Sequence, residues 1–291
     1  MTHVAMIGYG EVGGIFAAGL RRAGIERITV HDTAPAVRAR AAGTEWRGTH
    51  EEAARGADLV IVAVTAGSAL EAVRALAPGL APGAFVLDVN SVAPATKQAA
   101  AEVVGRAGGR YVEAAVMTSV PPRGLASPML LGGPHVDAFM AMAAPWGMAL
   151  TAYSGRIGAA SSVKMCRSIM VKGLEALAVE CLLTARHYGV EQDVLASLGD
   201  TLPHPDWPGL ARYMIGRALQ HGRRRAEEMR EVARTVEGAG LDPLLSAAIA
   251  RRQDWAADRK ASMAAAGPDL ASLLDAVLAF SEDEVEALVA G

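Results

Sequence analysis

An apolar segment, HVAMI at positions 3–7, runs directly into Gly8-Tyr9-Gly10-Glu11-Val12-Gly13, and apolar residues then continue at helical spacing through Ile15, Phe16 and Leu20. A buried strand that must turn at once into a helix leaves the backbone few options. Gly8 permits the sharp reversal, Gly10 lets backbone amides approach an anion, and Gly13 lets the helix lie close on the strand, with its amide end and dipole facing that anion. A second strand is expected at 28–30, and Asp32 follows nineteen residues after Gly13. That matches the spacing of about 20 expected of an acid that accepts hydrogen bonds from an adenosine ribose. Strand, glycines, helix, strand and acid in this order point to a dinucleotide site contacted by Gly8, Tyr9, Gly10, Glu11, Val12, Gly13, Asp32 and Thr33. A purely structural turn, or a methyltransferase turn for an adenosyl sulfonium, accounts for fewer of these features.

The chain has 291 residues, enough for two domains, with 52% apolar and 20% charged residues, a composition that builds a core rather than a disordered chain. A net charge of −3 gives no electrostatic case for nucleic acid or an anionic membrane. Cys166 and Cys181 are the only cysteines, and they suggest neither a disulfide framework nor a metal site. The first residues enter a strand without a targeting leader, and no apolar run is long enough to span a bilayer without a charge or a proline. A soluble cytoplasmic protein is expected.

Along the first half, strands expected at 58–64, 85–89, 111–116 and 129–132 alternate with helices at 36–42, 51–55, 68–76, 94–107 and 136–142. The alternation predicts an α/β fold: a doubly wound Rossmann sheet with ligands at the carboxyl ends of its strands. From residue 161 the pattern becomes helical, over 161–188, 194–198, 209–237, 243–259 and 269–288, with no strand after about 155. The expected domains are 1–157 for dinucleotide binding and 158–291, all-α, for substrate and dimerisation. The long apolar helix at 161–188 suggests burial in part against a second copy, hence a homodimer.

Candidate site residues lie where strands end. Thr65 and Ala66 follow the 58–64 run, where inner ribose and phosphates would pass. Asn90 and Ser91 follow the next strand and suit ribose or nicotinamide groups, while Ser91 equally suits helix capping. Met117-Thr118-Ser119 precede Pro121-Pro122 and could offer amides and hydroxyls to a substrate carboxylate, or simply form a proline-fixed turn. Lys164 sits one turn into the long helix, with Ser168, Val171 and Glu175 within about 40° of it around the axis. A lysine against apolar walls can exchange a proton near neutrality, whereas a surface lysine at a helix start has no such role. His221, Arg225 and Glu228 share one face of a later helix, flanked by Arg223 and Arg224. They read either as an anion-binding wall for substrate or as a solvated, salt-bridged face.

The segments IGYGEVG and DVNSVAP and the pattern G-x-x-G-x-x-x-x-x-K ending at Lys164 resemble the 3-hydroxyacid dehydrogenases related to 6-phosphogluconate dehydrogenase. KMCRSIMVKGLEAL and HGRRRAEEM resemble a subgroup of them with a distinct C-terminal domain. The resemblance implies a Rossmann domain, an all-α domain, NAD(P), and a lysine acting on the substrate hydroxyl, which maps to Lys164. The chain departs from the family at Ser168, where an asparagine is usual, at Val171, where the phosphogluconate enzymes carry an acid, and at Met117-Thr118-Ser119, which replaces Ser-Gly-Gly. The combined reading is an NAD(P)-dependent oxidoreductase that moves a hydride between nicotinamide and the hydroxyl-bearing carbon of a small hydroxy acid. Lys164 would be the general acid/base and Ser168 would orient the substrate. Asp32 would repel a 2′-phosphate and favour NAD, while Arg38 and Arg40 keep NADP open. The alternatives are an imine reductase, against which Lys164 speaks, a decarboxylating dehydrogenase, and a non-catalytic NAD(P)-binding protein.

Overall fold

The run without polar residues at 59–62 becomes the strand Leu59–Val62, buried along its whole length. Val60 and Val62 join Ala5, Ile7 and Val86 in one apolar layer. Leu59 and Ile61 join Val4, Met6, Phe16, Leu20 and Leu87 in another. Alternate residues of one strand thus enter two different cores, which is why the strand is apolar throughout: the sheet is covered on both faces.

A computed structural model describes residues 2–280 of the chain. Its strands are β1 (His3–Ile7), β2 (Arg27–His31), β3 (Glu45–Trp46), β4 (Leu59–Val62), β5 (Phe85–Asp88), β6 (Arg110–Val116), β7 (Met129–Gly132) and β8 (Leu150–Ser154). They form one sheet in the order β3-β2-β1-β4-β5-β6-β7-β8. Every neighbouring pair is parallel except β6 with β7. Helices α1 (Glu11–Arg22), α2 (His50–Ala54), α3 (Ala69–Leu76), α4 (Pro94–Arg106) and α5 (Val136–Ala143) belong to this part of the chain. Chain progression reverses at β1, which lies between β2 and β4, and the glycine turn follows β1 at that reversal. Open α/β sheets bind ligands at such a point.

Three local expectations are corrected. The helix expected at 36–42 is a 3₁₀ segment, Pro35–Arg40, which begins where proline fixes φ. The short strand β3 and the edge strand β8 carry no apolar pattern that marks them in the sequence. Tyr153 of β8, for example, is half exposed.

The remaining helices are α6 (Ala159–His187), α7 (Glu191–Thr201), α8 (Trp207–Gly238), α9 (Leu244–Asp258), α10 (Ser262–Ala265) and α11 (Leu270–Ala279). The helix expected at 269–288 is Leu270–Ala279 among the described residues, and the expected positions 281–288 lie outside them. No described residue after Ser154 is in a strand, and no helix among the described residues is long and apolar enough to cross a membrane. By packing, the described residues form two compact units: those up to Arg167 together with Arg234–Leu241, and Ser168–Ala233 together with those from Asp242 to Phe280. The first turns of α6, including Lys164, therefore belong with the sheet. In the helical unit Val179, Leu182 and Leu183 of α6 pack with Ile215 and Leu219 of α8 and with Leu273, Leu274 and Val277 of α11.

The last turn of α6 is tied down by charge. Arg186 binds the Asp275 carboxylate through Nε and Nη2 and reaches Glu191 through Nη1. The guanidinium holds the Asp275 carboxyl below the ordinary carboxylate range, and a backbone amide followed by Arg186 does the same for Glu191. Folded-state values below the unfolded ones mean that this contribution is full above about pH 4.5 and is lost as pH falls through the folded values. The melting temperature should therefore fall as pH is lowered from 6 towards 2. Arg186→Ala should flatten part of that dependence, as thermal melts of both proteins across this range would measure.

Candidate active site

The glycine turn is built by close contact on two sides and openness on the third. Gly8 has φ of +86°, and a Cβ there would lie 2.3 Å from the Ala63 carbonyl oxygen. A Cβ on Gly13 would lie 2.0 Å from the Gly8 carbonyl oxygen, so α1 can sit on the strand only with glycine at this position. A Cβ on Gly10 would meet nothing within 4 Å. Gly10 is the N-cap of α1 and supplies no side-chain cap. The start of α1 thus has no side-chain cap and open space at Gly10, an arrangement suited to a pyrophosphate.

Asp32 closes the turn. Its Oδ2 accepts from Tyr9 N at 2.7 Å and its Oδ1 from Ala34 N at 2.8 Å. A carboxylate offers about four acceptor positions, so these two bonds orient the group and leave capacity for ribose hydroxyls. Tyr9 is buried, Val12 is partly buried, and Glu11, Thr33 and Thr65 are exposed. These residues fit an adenine dinucleotide on both counts, an open amide cradle and an oriented acid beside it.

At the ends of β4 and β5 lies a buried polar network that sequence reading missed. Asp88, 1% exposed, pairs with Lys97 Nζ of α4 at 2.9 Å. It also accepts from Tyr111 Oη at 2.6 Å and from the Asn90 backbone and side-chain amides at 2.9 and 2.7 Å. Asn90 Oδ1 in turn accepts from Val64 N at 2.8 Å, joining the two strand ends. Burial, with the Asp88 charge beside it, pushes the Tyr111 hydroxyl well above its ordinary value. Asn90, expected beside nicotinamide, thus has its carbonyl and an amide engaged in shaping the strand ends. Ser91 does not cap the next helix: α4 begins at Pro94 behind Ala93, without a side-chain cap. Lys97 is spaced as an ordinary helix residue, and only its burial shows its role.

Beside Asp88 in the sheet register lies Glu113. Its carboxylate is fully buried and accepts from Gly158 N, Ala160 N and Ser161 Oγ at the start of α6. Lys164 follows one turn later and is partly buried. In the loop after β6, Met117 is partly buried while Thr118 and Ser119 are exposed. The Met117 amide donates to Pro128 O at 2.9 Å and its carbonyl accepts from Arg167.

Residues 3–140 match the NAD binding domain of 6-phosphogluconate dehydrogenase, and residues 185–256 match a domain of unknown function, DUF1932. A conserved hypothetical protein from Sinorhizobium meliloti 1021 is 35% identical and superposes with a TM-score of 0.71, covering 95% of this chain and 96% of that one. A second solved structure, of a conserved protein of unknown function described as similar to 3-hydroxyacid dehydrogenases, is 31% identical with a TM-score of 0.68, covering 88% and 97%. The chain belongs to the 3-hydroxyacid dehydrogenase-like proteins. A 3-hydroxyisobutyrate dehydrogenase from Pseudomonas aeruginosa is 27% identical over 206 residues, 68% of this chain and 69% of its own.

In this 3-hydroxyacid dehydrogenase-like protein Arg225 and Glu228 of α8 are not solvated, which corrects the solvated reading for these two, while the flanking Arg223 and Arg224 are exposed and salt-bridged. Arg225 and Glu228 are 4% and 7% exposed. Arg225 pairs with Glu175 of α6, and Glu228 pairs with Lys172 at 2.7 Å and Arg224 at 2.6 Å. Burial pushes the Glu175 carboxyl up and the Arg225 guanidinium down, while their mutual attraction opposes both shifts. Ser168 is buried and its Oγ accepts from Lys172 Nζ at 2.9 Å. Ser168 Oγ and Arg225 Nη1 are thus engaged inside the helical unit, while Arg225 Nε is buried without a hydrogen bond among the described residues. His221 lies along the α8 face that also carries Arg212, Tyr213 and Arg217 around a 440 Å³ hollow.

Because Asp88 and Lys97 are both buried, removing one partner should be costly. Lys97→Met leaves a buried carboxylate short of its cation, and chemical denaturation should show a loss of about 3–5 kcal/mol. Pairing it with Asp88→Asn should recover a substantial part of that loss.

Proposed function

We propose that the protein is an NAD-dependent oxidoreductase acting on the hydroxyl-bearing carbon of a small organic acid. The supporting observation is the open amide end of α1 with Asp32 hydrogen-bonded across the turn. The amides after Gly10 would hold the pyrophosphate, and Asp32 would accept from the adenosine ribose. Thr65 and Ala66 would flank the inner ribose, and the strand ends held by Asn90, with Ser91 beside them, would line the nicotinamide side. Bound nicotinamide supplies the acceptor for the two electrons that leave the substrate as hydride.

Lys164 would take the hydroxyl proton at Nζ as the carbonyl forms, and return it in the reverse direction. The loop Met117-Thr118-Ser119 would meet the substrate carboxylate through amides and hydroxyls, a polar lining in place of bare glycine backbone. All of this chemistry uses residues of the first unit. Asp32 carries a negative charge where a 2′-phosphate would lie, so NAD is favoured over NADP. Met170, Leu174 and Leu177 form an exposed apolar stripe on α6, which supports a homodimer as part of this reading. A monomer by light scattering at micromolar concentration would remove that part.

A panel of small hydroxy acids tested with NAD and with NADP should give NAD-linked turnover. Lys164→Ala should lower it by about 10²–10⁴ while leaving NADH affinity, measured by fluorescence titration, unchanged. Undiminished turnover in Lys164→Ala would refute the assigned role. Asp32→Ala should narrow the preference for NADH over NADPH in the same titration.

A further inference from the structure

Glu113 lies in the middle of β6, an interior strand parallel to β5 and antiparallel to β7, where a carboxylate is expensive to bury. What compensates it is the beginning of α6. Oε1 accepts from Gly158 N at 2.9 Å and Ala160 N at 3.0 Å, and Oε2 accepts from Ser161 Oγ at 2.9 Å. A helix start leaves its first amides unpaired and carries partial positive charge, so one carboxylate is well suited to it. The neighbouring strand is shaped around the same group. Gly132 is the register partner of Glu113 on β7, and a Cβ on it would lie 2.2 Å from Oε1. Gly158 has φ of +98°, which brings the loop into α6 with its amide turned towards the carboxylate.

Lys164 stands four residues after Ala160 and three after Ser161, the spacings that bring residues onto one side of a helix. Bonds to those two residues set both the height and the rotation of the turn that carries the lysine. We propose that Glu113 is the positioning residue for Lys164: from the sheet it fixes the first turn of α6 so that the lysine meets substrate in one orientation. This rests on the reading of Lys164 as acid/base, and the test separates the two.

In the hydroxy-acid assay, Glu113→Ala should lower kcat by about 10–100-fold, the scale of a misplaced catalytic group, with NADH affinity retained. Glu113→Gln keeps an acceptor for the two amides and should restore most of the rate. On a Lys164→Ala background, Glu113→Ala should cause no further loss. If the two losses instead multiply, Glu113 does not act through Lys164 and the proposal falls. If Lys164→Ala alone changes nothing, the acid/base reading has failed, and positioning is then decided without activity. The chain has only four lysines, at 97, 164, 172 and 260, so ¹³C-lysine labelling gives four assignable cross-peaks. The Lys164 peak should move in Glu113→Ala and in the milder Ser161→Ala, while those of Lys172 and Lys260 stay. A Lys164 peak unmoved in Ser161→Ala, the variant that serves if Glu113→Ala does not fold, overturns the proposal.

Discussion

Two carboxylates stand side by side in the interior of this sheet, Asp88 on β5 and Glu113 on β6, in register and almost without exposure. Neither can remain charged there unless something opposite is brought to it. For Asp88 that is Lys97, carried in by α4 and joined by Tyr111 and Asn90. For Glu113 it is the start of α6, which offers two amides and a hydroxyl in place of a cation. The two solutions differ in kind, and each ties a helix to the sheet. The Asp88 cluster holds the ends of β4 and β5, beside which a nicotinamide ring would lie, and the Glu113 cap holds the turn that carries Lys164.

The glycine turn supplies the other half of the site. Gly8 and Gly13 lack room for a side chain, whereas Gly10 faces open space. Asp32 couples that turn to β2 through Tyr9 N, so a cofactor's ribose and pyrophosphate would bind to parts already joined by a hydrogen bond. Such a site needs little rearrangement to receive its ligand, which saves ordering cost on binding.

Much of this was legible in the sequence, and the divide follows the range of the interactions. The turn after β1 is dictated by backbone geometry within a few residues, so its glycines announce it, as does the two-sided burial of Leu59–Val62. The 29-residue helix α6 also declares itself by length and composition. Asp88 with Lys97, and Glu113 with Ser161, lie 9 and 48 residues apart. Nothing local distinguishes Lys97 from a surface lysine until α4 is packed. Arg225 and Glu228 show the same limit: a charged helix face looks solvated until Glu175 and Lys172 are found against it. The edge strands β3 and β8 escaped because a short or half-exposed strand carries no period-two signal.

The chemistry proposed for this site is transfer of hydride between a hydroxyl-bearing carbon and nicotinamide, and isotope tracing observes that transfer itself. A small hydroxy acid that supports turnover, deuterated at the hydroxyl-bearing carbon, is incubated with the protein and NAD, and the reduced cofactor is isolated for mass and NMR analysis. Deuterium at nicotinamide C4, retained in the wild-type reaction and sharply slowed in Lys164→Ala, is the outcome expected of the site described above. Tight NADH binding with no reduced cofactor formed from any hydroxy acid would show that the protein holds the dinucleotide without using it.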